Sequence, residues 1–62
     1  FPEKMKLEVY REQGGICPIK GKHFEYDEME ADHIIPWSKG GSTTKENCQM
    51  IWKYANRVKS SK

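Results

Sequence analysis

An aspartate and a histidine lie side by side at positions 32 and 33, within the stretch ADHIIPWSKGG of residues 31–41. Hydrolysis of a phosphodiester needs a base that takes a proton from water and a positive centre that absorbs the developing negative charge. An imidazole with a pKa near ~6.5 is largely neutral at neutral pH and can be that base. His33 is therefore a candidate general base. The alternative is that Asp32 caps a local turn and His33 is an ordinary core side chain.

Asp32 and Asn56 together could hold a cation. Neighbouring side chains of a strand point to opposite faces, so Asp32 cannot easily share a water with His33 but can turn toward a following helix. Asn56 lies on the polar side of a predicted C-terminal helix and offers a carbonyl oxygen. An all-oxygen site favours a hard ion, Mg²⁺ or Mn²⁺, over a tightly held catalytic Zn²⁺. Taken singly, such residues have plain structural explanations, and Asn47 alone is a turn residue or a cap.

The N-terminal half of the chain is predicted to contain one helix. Residues 3–13 follow Pro2 and precede two glycines, and Met5 and Val9 lie one turn apart, which together favour a helix. Residues 14–24 are too rich in glycine and proline for a regular element. They are predicted to form a tight connection.

The C-terminal half is predicted to contain two strands and a helix. The first strand runs from about Glu28 to Ile35 and ends at Pro36, and residues 48–52 form the second. A polar loop joins them, with Thr43 or Thr44 as a cap within it. A helical i, i+3, i+4, i+7 stripe follows, formed by Ile51, Tyr54, Ala55 and Val58. The whole order predicts a small α+β fold.

The charges are unevenly distributed along the 62 residues, whose net charge is +2. Residues 24–32 carry five acidic side chains and no basic one, whereas residues 36–62 carry six Lys or Arg against Glu46 alone. A basic half suits a polyanion, and an acidic cluster suits a cation. An ordinary mixed-charge surface explains the charges alone equally well.

The composition also bounds the class of protein. No apolar run is long enough to span a bilayer and no segment resembles a secretory leader, so we expect no membrane partner. Cys17 and Cys48 are expected to be reduced thiols in a cytoplasmic protein. A chain this short builds a thin core. Because it begins with Phe1, we expect residues 1–62 to be a single domain from a larger protein.

Four features occur together in residues 31–59: Asp-His before an apolar pair and Pro, a Lys-Gly-Gly loop, an Asn fourteen positions after His33, and an Asn nine positions later that leads into Arg-x-Lys. Their combination resembles the HNH endonuclease motif, also called the ββα-metal or His-Me finger. The resemblance covers roughly residues 14–60. It implies a ββα-metal finger with an additional N-terminal helix, acting as a metal-dependent endonuclease on DNA.

The resemblance implies a role for each motif residue. His33 would be the general base, and Asp32 and Asn56 would hold one divalent ion. Asn47 would tie the loop between the strands to the backbone and so fix His33. The last motif letter is Asn rather than His, an HNN variant, which agrees with Mg²⁺ or Mn²⁺ as the ion. Cleavage in this family leaves 5′-phosphate and 3′-hydroxyl ends.

Many related domains also carry two CxxC pairs that bind a structural zinc ion. The corresponding positions here are Cys17, Lys20, Trp52 and Ala55. One thiol cannot build a tetrahedral site, so we expect no structural zinc and expect Trp52, Ala55 and the stem of Lys20 to fill the space. A replacement site from Cys17, His23 and Cys48 has little support. Cys48 is expected to be a small buried apolar residue.

Three basic side chains are expected to contact phosphates: Lys39, Arg57 and Lys59. Trp37 is expected to anchor the loop, with a contact in the minor groove of DNA as the alternative. No segment resembles a base-reading helix, so we expect other domains to supply targeting. Two other functions stay open: a degenerate HNH fold that binds nucleic acid without cutting it, and an interaction module in which the polar residues are only structural.

Overall fold

Two helices and a two-stranded antiparallel sheet make up the computed structural model, which describes residues 1–60. The elements are α1 (Glu3–Glu12), β1 (Met29–His33), β2 (Cys48–Trp52) and α2 (Lys53–Ser60), with short 3-10 turns at Tyr26–Glu28, Trp37–Lys39 and Lys45–Asn47. The predicted α+β order, a ββα unit preceded by an additional helix, is confirmed. No helix in the described part of the chain is long and apolar enough to cross a membrane.

The core lies where α1 and the first connection pack against the sheet. Its buried apolar side chains are Val9, Cys17, Met29, Cys48, Met50 and Ile51. Three of these six belong to β2, which makes that strand the centre of the core. Burial raises the pKa of the Cys48 thiol, so Cys48 stays neutral and packs as a small apolar residue.

β1 is shorter than the sequence predicted. The expected strand ran from about Glu28 to Ile35, but Glu28 closes a 3-10 turn, and Ile34 and Ile35 are 49% and 56% exposed. The Ile34 N–H still donates to the main-chain oxygen of Asn47 (2.9 Å), whereas the Ile35 N–H donates to the Asn47 side chain. Ile34 and Ile35 are β-branched and favour a strand by themselves. The sequence therefore does not show that the Asn47 side chain replaces the partner strand at Ile35.

Gln13, the residue after α1, attaches that helix to the free edge of β2. Its side-chain amide accepts the N–H of Met50 (2.8 Å) and donates to the Met50 carbonyl (2.8 Å). The same amide donates to the Ile16 carbonyl. Edge strands leave backbone groups unpaired. Gln13 satisfies those of β2 at its midpoint, which holds the additional helix against the sheet.

The connection between α1 and β1 packs around Trp52. Cys17 is fully buried, and its sulfur accepts a hydrogen bond from the Trp52 N–H (3.4 Å). The Trp52 ring stacks on Phe24, with centroids 5.2 Å apart, and the Lys20 ammonium lies 5.7 Å from the Trp52 ring centroid. Packing by Trp52 and Lys20 thus occurs where a zinc knuckle would lie. The expectation of no structural zinc stays a prediction, which metal analysis of the purified protein would test.

Candidate active site

An open groove lies at the end of β1. It encloses about 240 Å³ and is lined by Asp32, His33, Pro36, Trp37 and Lys59. Adjacent side chains of a continuing strand point to opposite faces, which is why the sequence separated Asp32 from His33. Asp32 and His33 are the last two residues of β1, and the groove lies across that end of the strand. Both side chains therefore line it.

The Asp32 carboxylate turns toward α2, as expected. Its Oδ2 accepts a hydrogen bond from Gln49 Nε2 (2.8 Å) and also binds the Lys59 ammonium. The Asp32 side chain is only 15% exposed. Lys59 Nζ donates in addition to the main-chain oxygen of His33 (3.2 Å). Two oxygens of β1 thus already hold a cationic group, and oxygens of this kind are those that hard cations prefer.

Asn56 lies next to this contact on the same interface between β1 and α2. Its Nδ2 donates to Glu30 Oε1 (2.9 Å). Glu30 and Asp32 are two residues apart and share a face of β1, and Asn56 and Lys59 are three residues apart and are neighbours on α2. The two contacts therefore form consecutive links between strand and helix. The hydrogen bond with Glu30 uses the amide nitrogen of Asn56 and not its carbonyl oxygen.

The oxygens of Asp32 and Asn56 fit a hard divalent ion better than zinc. Within residues 1–60, no group of three or more His, Cys, Asp or Glu side chains is placed to hold a metal ion. Zn²⁺ normally takes three or four such ligands. Mg²⁺ keeps several waters and binds through one or two protein oxygens together with substrate phosphate. A carboxylate and an amide oxygen suit that second kind of ion.

The His33 ring is held by contacts from three residues. Nε2 lies 3.0 Å from the Thr43 hydroxyl oxygen. The Phe1 ring packs 4.4 Å away between centroids and the Trp37 ring 6.4 Å away. When Nε2 donates its hydrogen to Thr43, Nδ1 carries the lone pair that accepts a proton.

Asn47 clamps the loop between the strands. Its side chain is buried, and all its partners are backbone groups: Oδ1 accepts the Ile35 N–H (2.8 Å), and Nδ2 donates to the carbonyls of Ile35 (3.1 Å) and Ser42 (2.8 Å). Ser42 is followed by Thr43, whose hydroxyl contacts His33. Asn47 therefore acts on the His33 ring through the loop and Thr43, without touching the ring.

Gly41 lies inside this clamp, where no side chain fits. A Cβ at this position would lie 1.7 Å from the main-chain oxygen of Ile35 and 2.9 Å from Asn47 Nδ2. The backbone must therefore move, and overpacking of this kind costs about 3 kcal/mol. We expect Gly41→Ala to reduce the free energy of unfolding by roughly that amount, measured by urea denaturation. Ser42→Ala, which adds no atoms next door, is the control, and equal stability of the two variants would contradict the clamp.

A family model described as HNH endonuclease matches residues 16–62. This match covers most of the chain. The chain belongs to the HNH endonuclease family. Comparisons with curated proteins and with solved structures gave no match. The family relates the groove to nuclease chemistry on nucleic acid, because the matched segment contains β1, β2, α2 and the loop between the strands.

The three residues that the sequence resemblance assigns to the HNH motif lie on three different parts of the domain. His33 ends β1, Asn47 ends the turn before β2, and Asn56 lies on α2. The groove and the β1–α2 interface beside it are where these parts meet.

The three basic residues named from the sequence take different positions in the HNH domain. Lys59 lines the groove and contacts Asp32. Lys39 lies in the exposed turn that follows Pro36. Arg57 packs its guanidinium over the Tyr54 ring, 5.1 Å from the centroid, and does not line the groove. Lys59 and Lys39 are therefore the closer candidates for phosphate contact.

Sequence reasoning missed three residues that contact the motif side chains of the HNH domain: Glu30, Thr43 and Gln49. Glu30 had a usable signal, because its spacing of two from Asp32 places both on one face of a strand. Thr43 was interpreted as a possible cap, but its hydroxyl contacts His33. Gln49 lies opposite Asp32 in the sheet, and this position follows only from the strand register.

Thr43 offers a direct test of how His33 is oriented. Thr43→Val keeps the side-chain volume but removes the hydroxyl that contacts Nε2. Losing a partner that orients a metal-ligating histidine typically costs 10- to 100-fold, and by analogy we expect single-turnover cleavage to slow by about tenfold when the orienting partner of a histidine base is lost. Thr44→Val is the matched control, because the Thr44 hydroxyl contacts Ser42 (3.0 Å) rather than His33. Equal rates for the two variants would remove Thr43 from this role.

Proposed function

We propose that this HNH domain hydrolyses DNA phosphodiester bonds with one divalent cation, Mg²⁺ or Mn²⁺. The observation that carries the proposal is the shared groove at the end of β1. There a histidine with one ring nitrogen available lies beside a carboxylate that already binds a cationic group. General base and charge-stabilising centre are the two components that this hydrolysis requires.

His33 is the proposed general base. Its Nδ1 takes a proton from the attacking water, while Thr43 and the Asn47 clamp hold the ring in one orientation. A fixed base reduces the entropy that the reaction must lose to reach its transition state. The buried, fully bonded side chain of Asn47 supports this role, because a clamp with three backbone contacts leaves the loop little freedom.

Asp32 and Asn56 are the proposed ligands of the divalent ion, which when bound stabilises negative charge on the phosphate and the leaving oxygen. Glu30 supports this assignment, because it accepts the Asn56 N–H and so fixes which side-chain atom of Asn56 remains to bind an ion, the carbonyl oxygen. Lys59 uses the same carboxylate that the ion needs. We infer that Lys59 gives up this contact when the ion binds and turns its ammonium to a substrate phosphate.

Lys39, Arg57 and Lys59 are the proposed phosphate contacts. Such contacts attract and orient nucleic acid but do not read its sequence. Target selection is therefore assigned to further domains of a larger protein, of which residues 1–62 would be the catalytic unit.

Nicking of supercoiled plasmid tests the proposed activity. We expect nicking with Mg²⁺ or Mn²⁺, no nicking after addition of EDTA, and nicks that DNA ligase seals, because the ends are 5′-phosphate and 3′-hydroxyl. A matched RNA substrate distinguishes DNA from RNA as the target. Nicking that persists in EDTA, or none with either ion, would contradict the proposal.

A second function, binding of nucleic acid without cleavage, is favoured by one observation. The Lys59 ammonium occupies the Asp32 carboxylate that catalysis needs. If Lys59 never leaves it, a divalent ion cannot use that carboxylate, and only other basic side chains near the groove, such as Lys39, remain to contact phosphates. That function predicts DNA affinity that falls steeply with salt and no nicking under any metal condition. Affinity and nicking measured on the same preparation separate the two functions.

A further inference from the structure

We infer that Trp37 is a stacking platform for one nucleobase beside the scissile phosphate, so that the groove prefers DNA whose bases are unpaired over an intact duplex. This inference rests on the proposed function only in placing the scissile phosphate in the groove. The stacking itself is a binding property that exists with or without cleavage.

The exposure of Trp37 is the first observation. The side chain is 73% exposed, so the expectation that it anchors the loop was wrong. Anchoring is done by Asn47, whose side chain bonds the backbone on both sides of the loop. Scattered apolar residues on a surface need no explanation. An indole that lines the same groove as Asp32 and His33 is a different case, because its position coincides with the chemistry.

The backbone under Trp37 is fixed, which suits a platform. Trp37 opens a 3-10 turn directly after Pro36, and the N–H groups of Lys39 (2.9 Å) and Gly41 (3.0 Å) both donate to the Pro36 carbonyl. The N–H of Gly40 donates to the Trp37 carbonyl (3.0 Å), and Gly40 has the left-handed φ of 86° that ends the turn. A fixed backbone leaves only the two side-chain torsions of the indole to restrict, so stacking on it costs little conformational entropy.

The relation of Trp37 to His33 places a stacked base next to the reacting bond. The two rings lie 6.4 Å apart with an interplanar angle of 62°, so the imidazole lies toward the ring and does not cover it as a parallel stack would. One sugar separates a base from its phosphate. A base on the indole therefore places its phosphate near His33, within the groove that Lys59 also lines.

The surrounding charges favour nucleic acid over an apolar protein segment as the occupant. Lys39 lies in the same turn as Trp37. Lys59 lines the groove as well, where it is paired with Asp32. Aromatic platforms beside basic side chains are typical of sites for single strands, because every base has a π-face. In an intact duplex those faces are covered by neighbouring bases. The substrate class that fits is therefore a single strand or a locally opened duplex.

Binding to two oligonucleotides with equal numbers of phosphates tests the inference. The first is a twelve-residue oligothymidylate, and the second has the same backbone with abasic residues. Affinities are measured by fluorescence anisotropy in EDTA, so that no cleavage occurs. We expect the protein to bind oligothymidylate about tenfold more tightly than the abasic strand, since stacking of one base is worth roughly that factor.

Two variants of Trp37 separate the contribution of aromatic stacking from the contribution of side-chain size. Trp37→Leu should lower the affinity for oligothymidylate about tenfold and leave affinity for the abasic strand unchanged, whereas Trp37→Phe should keep most of the difference. Because Trp37 is exposed, neither variant should alter the unfolding midpoint. Affinity for an intact duplex should not change in Trp37→Leu.

Three outcomes would overturn the inference: no loss in Trp37→Leu, an equal loss on both strands, or no binding of either oligonucleotide. If the protein kept an apolar peptide bound in the presence of excess oligothymidylate, the inference would also be overturned, in favour of a protein partner. The plasmid assay is independent of these results. If base-dependent binding is seen without nicking, the proposed hydrolysis fails and the stacking site stands.

Discussion

His33→Ala is expected to slow single-turnover DNA cleavage by about a thousandfold, because a positioned general base typically contributes 10²- to 10⁴-fold. The ring packs against Phe1 and Trp37 at the surface of the groove, outside the buried core. The fold should therefore be retained. Cleavage is measured at saturating protein with Mg²⁺, and circular dichroism and Mn²⁺ affinity are measured in parallel, because neither depends on a base.

The second histidine of the chain provides the control for that experiment. His23 lies in the connection before β1, with its side chain 54% exposed and near Glu25. The His23→Ala variant should cleave DNA at the same rate as the protein without substitutions. If His33→Ala also cleaved normally, water would be activated by another group, and the proposed mechanism would be wrong even if the family assignment stands.

Asp32→Asn is the second variant with a large expected effect. The substitution keeps the shape of the side chain but removes the charge that holds a cation, so we expect Mn²⁺ affinity to fall at least tenfold and cleavage about a hundredfold or more. Stability should fall by about 2 kcal/mol, because Asp32 is only 15% exposed and the substitution removes a partly buried charged contact with Lys59. Isothermal titration with Mn²⁺ measures the first effect without any reaction.

Asp27 provides the matched control, since it is an exposed aspartate in the turn before β1. Asp27→Asn should change neither Mn²⁺ affinity nor cleavage. An unchanged Mn²⁺ affinity in Asp32→Asn would show that the ion binds elsewhere. It would then favour the function in which Lys59 keeps its place on Asp32.

The order of elements was predictable because each has a local cause. Pro2 and the paired glycines bracket α1, and the spacing of apolar residues marks α2. The end of β1 was not predictable in the same way. Ile34 and Ile35 have strand propensity, but the side chain of Asn47 replaces the partner strand for the backbone of Ile35. Strand propensity is a property of single residues, whereas the end of β1 depends on a contact between Ile35 and Asn47, twelve positions apart.

The candidate site was predictable as a set of motif residues but not as a set of contacts. The spacing of His33, Asn47 and Asn56 identified the family. The pairing of Lys59 with Asp32 and of Asn56 with Glu30 depends on how α2 lies across β1, which no local pattern encodes. Trp37 illustrates the same limit, since a tryptophan after proline suits an anchor and a platform equally until its exposure is known.

Anomalous diffraction from crystals of the protein grown with Mn²⁺ tests most directly whether Asp32 and Asn56 share one ion beside His33. We expect a single manganese peak at the β1–α2 interface beside the groove, bound by the Asp32 carboxylate and the Asn56 carbonyl oxygen, with Lys59 moved off the carboxylate. A peak bound by other side chains, or Lys59 still on Asp32 at saturating Mn²⁺, would contradict the proposed site.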